Sequence, residues 1–571
     1  MSDSNVGARI VEAGRRHPAK LALSVPCAAE GYARSDTLSY GELLAAAAAR
    51  QQALRGLGLV AGDRVLLLAR PGLGLYVLMV ALLASGIVPV LVDRGMSRPR
   101  LVAALRASGA RVAIGERSIM RLWWLLPTLW RWRRFAIDGT AFGVRALGGG
   151  SAIPGAVPAC VPLPAQAHGL ITFTSGSTGA PKGADRTHGS LTAQHLAIRA
   201  HWQDRDDDID MPSFPVLVLH NLCCGLSTVM PAVDLATPGR PEAARVLAQL
   251  EESGVTRLTG APAFIGRLLD QAEAGGRTFP RLRSLVVGGA TLPPGLAARC
   301  LRVFPQAECR VVYGSTEAEP IADVTMAELV ADGEAEAGHL LGQPAAVAEV
   351  CLVDPAQGLA GDDDVQRARV GVGVSGEILV AGPHVLQGYV DNPAANAETK
   401  IPRADGGVWH RTGDVGHVDA RGRLWLEGRV KDAVTVAGVP RHTLALEKAL
   451  DQLPGIRRSA LVQGPEGPAL IIACARGGNA DNDDADRTGR EAGTSNSNSK
   501  AGSRSIPRAR DDLAPGLRQR LAAMRAQQAF PPLALFLIDD MPVDGRHNSK
   551  LDRPALRDLL ARGRLAALGE I

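Results

Sequence analysis

Short apolar runs alternate with helical segments over residues 64–115, and this alternation constrains the fold more than any other feature. The chain reads RVLLLA, then a helical LYVLMVALLA, then VPVLVD, a helical RPRLVAALRASG and finally RVAIG. Strands that read as continuous apolar runs and are separated by helices are typical of a parallel sheet with helices on both faces. We therefore predict a βαβαβ unit here.

The same alternation of short apolar runs and helical segments recurs after residue 168. The segments are HGLITFT, the apolar stretch 214–229, VTRLTGAP, RLRSLVVGGA and CRVVYGS. This predicts a large α/β N-terminal domain with two βα-layered sheets, over residues 1–429. Within it, VSGEILVAG and GRLWLEGR read as alternating strands joined by glycine-rich turns, which predicts a small β subdomain at about 340–429.

A small α+β C-terminal domain is expected over residues 430–571. Residues 476–508 have no apolar periodicity and are rich in Gly, Ser, Asn and Asp. That composition predicts a disordered surface insertion without chemistry of its own.

Composition limits the class of protein without naming it. Of the 571 residues 46% are hydrophobic, and the formal net charge is only +5, spread along the chain, so no nucleic-acid partner is expected. The eight cysteines show no CxxC pair and no metal-ligand spacing, which predicts reduced thiols in a cytoplasmic protein and no zinc site. The N-terminus lacks the apolar core of a signal peptide. The uncharged run from Gly72 to Val92 is interpreted as a buried helix and strand, because Ser85, Gly86 and Pro89 interrupt it.

The strongest local signal is ITFTSGSTGAPKGADRTH at residues 171–188. An apolar strand leads into a loop rich in glycines and hydroxyls, which can present backbone N–H groups to phosphate oxygens. The order SGSTGxPKG differs from GxxxxGK[ST], so the P-loop NTPases are excluded. The alternative is a flexible polar turn.

This loop resembles the signature loop of the adenylate-forming superfamily, which contains acyl-CoA synthetases, peptide-synthetase adenylation domains and luciferases. Three further segments resemble its motifs and follow in the expected order: VYGSTEAEP at 312–320, WHRTGDVGHVDARGRLWLEGRVKD at 409–432 and PVDGRHNSKLDRPAL at 542–556. The resemblance implies attack of a carboxylate on the α-phosphate of ATP, with acyl-AMP and pyrophosphate as products.

The resemblance also implies roles for individual residues. Phosphate contacts are expected from the signature loop, adenine contacts from two strand ends, and ribose contacts from the third motif. The nucleotide-binding set is Thr174, Ser175, Gly176, Ser177, Thr178, Gly179, Lys182, Gly288, Gly289, Ala290, Tyr313, Gly314, Ser315, Thr316, Asp414 and Arg429.

Four of these roles concern the reaction itself or its metal. Glu317 is the expected Mg²⁺ ligand, and Thr316 is expected at the α-phosphate. Lys550 is the expected catalytic lysine that bridges the carboxylate and the α-phosphate, and Lys182 is expected to assist at the β- and γ-phosphates. The plain alternative is a solvated surface lysine for Lys550, a turn residue for Asp414 and a helix cap for Glu317.

Lys431 and Asp432 resemble the superfamily's hinge, about which the C-terminal domain rotates between the two half-reactions.

The acid is less well specified by the sequence. Residues 210–234, DMPSFPVLVLHNLCCGLSTVMPAVD, are apolar enough for a lipid tail, with His220 and Asn221 as pocket candidates and a satisfied core histidine as the alternative for His220. PSFP, LVDRGMSRPRL, TRLTGAPAF and PVDGRHNSKLDR resemble the β-lactone synthetases of bacterial olefin biosynthesis. Those enzymes activate a long β-hydroxy fatty acid whose hydroxyl displaces AMP.

The sequence departs from those enzymes at YGSTEAEP, where they resemble YGATEALP, and in its long polar insertion. The alternatives are a fatty acyl-CoA or acyl-carrier-protein ligase, for which CoA or a carrier thiol is the acceptor, and a noncatalytic relative that binds nucleotide or acyl chain. All four of Lys182, Glu317, Asp414 and Lys550 are present, which disfavours the last.

Four of the seven tryptophans lie in RLWWLLPTLWRWRR, residues 121–134, interleaved with arginines. One interpretation is a surface helix pair that covers the edge of the sheet. The other is a contact with a membrane surface or a partner enzyme, which would make a cytoplasmic protein membrane-associated.

Overall fold

The structure is a computed structural model that describes residues 4–27, 31–93, 95–174, 181–233, 242–474, 516–543 and 551–571. The described residues up to Leu426 form one compact unit, and those from Glu427 form a second. The insertion predicted at 476–508, the loop residues 175–180 and the segment 544–550 with Lys550 lie outside the described residues.

The helices of the described residues are α1 (Val6–Arg16), α2 (Tyr40–Gly56), α3 (Leu73–Ala84), α4 (Arg98–Ala107), α5 (Arg117–Met120), α6 (His188–Trp202), α7 (Val216–Cys224), α8 (Ala243–Glu252), α9 (Pro262–Ala274), α10 (Pro294–Val303), α11 (Met326–Asp332), α12 (Asp362–Ala368), α13 (Pro393–Thr399), α14 (Leu444–Asp451), α15 (Leu517–Gln527) and α16 (Arg553–Ala561).

The strands are β1 (Leu21–Pro26), β2 (Ser35–Ser39), β3 (Arg64–Leu68), β4 (Val88–Val92), β5 (Val112–Gly115), β6 (Arg133–Ala136), β7 (Arg145–Ala146), β8 (His168–Thr174), β9 (Lys182–Thr187), β10 (Ile209–Pro212), β11 (Ser227–Val229), β12 (Arg257–Gly260), β13 (Ser284–Gly288), β14 (Glu308–Tyr313), β15 (Ala322–Thr325), β16 (His339–Pro344), β17 (Glu349–Val353), β18 (Gly376–Ala381), β19 (Lys400–Pro402), β20 (Val408–Val418), β21 (Leu424–Arg429), β22 (Val434–Val436), β23 (Val439–Arg441), β24 (Ile456–Gly464), β25 (Gly467–Cys474), β26 (Ala534–Leu537) and β27 (Ala566–Glu570).

The first sheet contains the predicted βαβαβ unit and runs in the order β7-β6-β5-β3-β4-β8-β9. Its neighbouring strands are parallel except β8 and β9, which form an antiparallel pair. The loop between β8 and β9 is the predicted phosphate loop. The prediction of a parallel sheet over residues 64–115 is confirmed.

Helix α3 explains why the run from Gly72 to Val92 is so apolar. The helix packs on α1 and α2 and touches β4 of the first sheet together with β1 and β2 of the second. A helix surrounded in this way is hydrophobic all round because it has no solvent-facing side. The interpretation as a buried helix and strand is confirmed, and among the described residues no helix is long and apolar enough to cross a membrane.

The second sheet runs in the order β17-β18-β20-β21-β16-β15-β14-β13-β12-β10-β11-β1-β2, with β19 on β20. Its centre, from β11 to β14, is parallel, and the strands from β15 to β21 pair antiparallel. The strands expected near 340–429 are therefore an extension of this sheet, joined to it through β15 and β16.

The tryptophan-rich segment consists of two short 3-10 helices, Trp123–Leu125 and Pro127–Arg131. Pro127 begins the second of them, because its missing N–H prevents continuation of the first. The segment then enters β6, next to the edge strand β7.

The second unit contains the hairpin β22–β23 and the sheet β24-β25-β26-β27, with α14, α15 and α16. A buried ion pair ties α16 to α14, since Arg553 donates to both carboxylate oxygens of Glu447, at 2.9 and 2.7 Å. Arg553 lies three residues after Lys550 in the sequence.

Candidate active site

The residues around Glu317 form the most highly charged cluster near the phosphate loop. Tyr389 is buried and donates its hydroxyl to Glu317 Oε1 at 2.8 Å. The ammonium groups of Lys182 and Lys400 lie 5.3 and 5.7 Å from the centroid of the Tyr389 ring. Lys182, at the start of β9, also lies 3.2 Å from Glu398 Oε2. Two cations and a carboxylate thus meet around one tyrosine ring.

The charges in this cluster are coupled. Burial works to raise the pKa of the Glu317 carboxyl, but His410, the hydrogen bond from Tyr389 and the charge of Lys400 outweigh it, so the pKa lies below its usual value. Burial lowers the pKa of Lys400 to about 7, although Glu317 opposes that shift. Glu317 is therefore held as a carboxylate, which is the ligand that Mg²⁺ prefers.

The predicted adenine and ribose residues lie at the ends of neighbouring strands. Tyr313, the last residue of β14, donates its hydroxyl to Asp414 Oδ2 of β20 at 2.7 Å. Gly288 ends β13 and is the register partner of Val312 in β14. Gly289 follows with a φ of +83°, a left-handed conformation that favours glycine. Gly288, Gly289, Tyr313 and Asp414 are thus brought to one region of the second sheet, with Ala290 next in the chain.

A tight turn connects Tyr313 to Glu317. Ser315 N donates to Ala318 O at 2.7 Å, and the Ser315 hydroxyl accepts from Glu317 N at 3.2 Å. A Cβ on Gly314 would come within 3.1 Å of Ala318 O, a tight contact that favours glycine at this position. Gly314 and Ser315 therefore shape the backbone that presents Thr316 and Glu317.

A polar cavity opens beside this turn, and it contains residues that the sequence did not indicate. Arg186 donates to Thr316 O at 3.0 Å and to Thr172 Oγ1 at 2.7 Å, so it ties the turn to β8. Burial raises the pKa of the Glu319 carboxyl, against the opposing charge of Arg186. The cavity is lined by Arg186, Ser190, Gln194, Thr316, Glu317, Ala318, Glu319, His384 and Leu386. Among these cavity residues, Glu319 had a signal in the sequence, since it is one of the positions where YGSTEAEP differs from the YGATEALP of the olefin enzymes.

An apolar cavity lies next to the polar one, and Gln194 of α6 lines both. Its walls come from α1, α3, α6 and α7: Val6, Ile10, Leu83, Leu191, Gln194, His195, Ile198, Val216, Leu217, Leu219, His220 and Cys223. His220 is thus part of a cavity wall. Asn221 is not in this lining, because its side chain donates to Asp210 Oδ2 at 2.8 Å and to Thr228 Oγ1 at 3.1 Å.

The predicted hinge residues belong to the second unit. Arg429 ends β21, and Lys431 and Asp432 lie in a short 3-10 turn, Val430–Asp432. Asp432 Oδ1 accepts from Arg557 of α16 at 3.0 Å. Thr174 ends β8, and Lys550 together with Ser175, Gly176, Ser177, Thr178 and Gly179 lies outside the described residues.

Similarity to known proteins gives the family of the chain. A family model for AMP-binding enzymes matches residues 10–390. The chain is 33% identical over 583 residues to the olefin beta-lactone synthetase of Stenotrophomonas maltophilia (strain K279a). The aligned region covers 97% of this chain and 97% of that protein. It is 28% identical over 459 residues to a feruloyl-CoA synthase of an Amycolatopsis species, covering 78% of this chain and 86% of that protein.

The fold is also similar to a solved structure, O-succinylbenzoate coenzyme A synthetase from Bacillus subtilis in complex with AMP. The TM-score is 0.72 at 18% identity, over 96% of this chain and 98% of that one.

The chain belongs to the AMP-binding enzyme family. It is an ATP-dependent adenylate-forming ligase that activates a carboxylic acid.

Proposed function

We propose that the substrate is a long-chain β-hydroxy fatty acid and that the product is its β-lactone. The observation that carries this proposal is the apolar cavity that meets the polar cavity at Gln194. An acid whose tail lies among Ile10, Leu83 and Ile198 would present its carboxylate beside Thr316. The 33% sequence identity to an olefin beta-lactone synthetase, over 97% of this chain, supports the same product.

The first step forms the mixed anhydride. A carboxylate oxygen attacks the α-phosphorus of ATP, the bond to the β-phosphate oxygen breaks, and pyrophosphate leaves. We assign Thr316 to the α-phosphate, Lys182 with Thr174, Ser175, Ser177 and Thr178 to the outer phosphates, and Lys550 to the charge that develops between the two reactants. The carboxylate of Glu317 fits Mg²⁺, which when bound would neutralise phosphate charge.

The second step closes the ring. The β-hydroxyl oxygen attacks the acyl carbon, the bond from that carbon to the phosphate oxygen of AMP breaks, AMP leaves, and the hydroxyl proton passes to water. No second substrate is needed, because the hydroxyl is held at a high effective concentration by its own chain. The alternative acceptor is the thiol of CoA or of an acyl carrier, and the similarity to a feruloyl-CoA synthase supports it.

One mixing experiment separates the two products. The full chain is incubated with ATP, Mg²⁺ and a long-chain β-hydroxy acid, with and without CoA, and the products are analysed by mass. We expect a product lighter than the acid by one water, formed without CoA. A product that requires CoA, together with equal turnover of the acid that lacks the hydroxyl, would reject ring closure in favour of an acyl-CoA ligase.

The assignment of the apolar cavity has its own test. Val216 lies at the rim of the cavity and is partly exposed, so Val216→Trp should fold and should narrow the space for the tail. We expect the preferred acid to become shorter by several carbons, measured as pyrophosphate release over a series of chain lengths. Val330→Trp on α11 is the matched control, because Val330 is similarly exposed and lines neither cavity. Equal profiles for both variants would reject the cavity as the tail site.

We further propose that residues 121–134 contact an anionic membrane surface from which a water-insoluble acid is drawn. Trp124 and Trp130 are 56% and 58% exposed, and Phe142 beside them is 92% exposed. Hydrogen bonds from indole N–H groups to backbone carbonyls connect this segment, since Trp130 Nε1 donates to Trp124 O at 3.0 Å and Trp123 Nε1 donates to Phe142 O at 2.8 Å.

Arginines dominate the charge of the segment that carries these tryptophans. Residues 117–137 contain five arginines and no Asp or Glu. Tryptophan and arginine together suit the boundary between lipid headgroups and acyl chains, where the ring is half-buried and the cation meets lipid phosphate.

Vesicle binding tests this surface without reference to catalysis. The protein should sediment with vesicles that contain phosphatidylglycerol and only weakly with phosphatidylcholine vesicles. Trp124→Ser with Trp130→Ser should abolish the difference, whereas Val372→Ser with Val374→Ser, at two exposed apolar residues elsewhere, should leave it unchanged. Absence of vesicle binding by the unaltered protein would reject the membrane contact and leave a partner enzyme as the alternative.

A further inference from the structure

Three potential metal ligands converge where helices α6 and α7 pack against each other. His195 comes from α6, and His220 and Cys224 come from α7. One ligand atom from each residue lies within 4.8 Å of the other two. The nitrogens His195 Nδ1 and His220 Nδ1 are 3.1 Å apart, and Cys224 Sγ is 3.8 Å from His195 Nδ1.

These separations suit a bound transition metal. Zinc takes nitrogen at about 2.0–2.1 Å and sulfur at about 2.3 Å, so a tetrahedral arrangement places its ligand atoms about 3.3–3.7 Å apart. His220 and Cys224 are four residues apart on one helix, which puts both side chains on the same face. Both histidines are buried, so they are held in place by the packing of the two helices.

The surroundings of His220 match those of a metal-bound histidine. Its second ring nitrogen, Nε2, lies 3.1 Å from Asp204 Oδ2. Arg257 donates to the other oxygen of Asp204, which fixes the carboxylate. Metal-ligating histidines commonly donate their other N–H to a carboxylate, which orients the ring and fixes the tautomer. The Cys224 thiol donates to Asp204 Oδ2 at 3.3 Å, and it would lose this proton on binding a metal ion.

We propose that His195, His220 and Cys224 bind a divalent transition metal ion of the zinc class, with Asp204 orienting His220. His195 and His220 also line the apolar cavity, so the ion would join α6 to α7 at the wall of that cavity. This site is distinct from the Mg²⁺ assigned to Glu317, because its ligands are nitrogen and sulfur where Mg²⁺ requires oxygen. Sequence spacing does not reveal it, since the ligands come from two helices.

Cobalt(II) is the probe for the first measurement. The full chain is freed of metal by dialysis against a chelator and titrated with Co²⁺, and the absorption of the thiolate-to-cobalt band is followed. We expect one equivalent to bind with such a band, and Zn²⁺ to displace it. Thermal unfolding should shift upward with added Zn²⁺, because an ion that binds only the folded state stabilises it.

Neighbouring cysteines provide a matched pair of variants. Cys224→Ser should abolish the absorption band, whereas Cys223→Ser should retain it, since the Cys223 sulfur is not among the three ligand atoms. Asp204→Asn should weaken the binding of Co²⁺ about 10- to 100-fold. Glu317→Gln should leave it unchanged, which separates this site from the nucleotide-associated metal.

Two results would overturn the proposal: binding of well under one equivalent of Co²⁺ by the unaltered protein, or an identical band in Cys224→Ser. If Cys224→Ser does not fold, His195→Gln replaces it, with loss of the same band as the expected result. None of these readouts depends on the acid or on the product of the enzyme.

Discussion

The hydroxyl of Tyr389 should control the charge of Glu317, and Tyr389→Phe tests this directly. The substitution removes a single oxygen that donates to Glu317 Oε1 at 2.8 Å, and it leaves the buried ring between Lys182 and Lys400. A hydrogen bond to a charged group contributes about 1.5–3 kcal/mol. If this bond is stronger in the transition state, where Glu317 supports the charge of Mg²⁺ and the phosphates, adenylation should slow by about 10- to 100-fold, because each 1.36 kcal/mol is a factor of ten.

The change in the pH dependence of the adenylation rate has an expected direction. The Tyr389 hydroxyl helps to lower the pKa of Glu317. Its removal should raise that pKa, so the carboxylate becomes protonated at a higher pH and the acid limb of the rate profile moves to higher pH. The assay is pyrophosphate release across pH at several Mg²⁺ concentrations, and the Mg²⁺ requirement should increase in parallel.

Tyr313→Phe is the matched control. It removes a bond of the same kind, from a tyrosine hydroxyl to Asp414 Oδ2 at 2.7 Å. Because Asp414 is assigned to the ribose, we expect a higher KM for ATP and an unchanged acid limb. The reasoning is refuted if Tyr389→Phe keeps the pH profile and Mg²⁺ dependence of the unaltered enzyme, or if both variants shift the profile equally.

Three further predictions concern the C-terminal region. Lys550→Ala should retain ATP binding by calorimetry but lose acyl-AMP formation by several orders of magnitude, since the lysine acts on charge that develops in the transition state. Lys431→Pro should arrest one half-reaction while the other continues, measured separately as pyrophosphate release and product formation; survival of both would show that the hinge lies elsewhere. Glu447→Gln should destabilise the second unit by about 3–5 kcal/mol in chemical denaturation, because it removes the carboxylate that pairs most closely with the buried Arg553. Arg562→Ala, at an exposed ion pair, should cost less than about 1 kcal/mol.

The sequence determined the fold class because its signals are local. The apolar runs at 64–115 indicate parallel strands and helices within a few residues of their observed limits. The signature loop and the motif of Glu317 likewise carry their chemistry in consecutive residues. Such features depend on backbone periodicity and on close neighbours in the chain, which one sequence contains.

Only the tertiary structure decided which distant side chains meet. Arg186 holds Thr316 across 130 residues, and Tyr389 reaches Glu317 across 72. His195 and Cys224 are brought together by the packing of α6 on α7. The strands near 340–429 join the second sheet by edge pairing, which alternation alone does not specify. In each case the deciding interaction is a hydrogen bond or a packing contact between segments far apart in the chain, and it exists only once the sheets and helices have assembled.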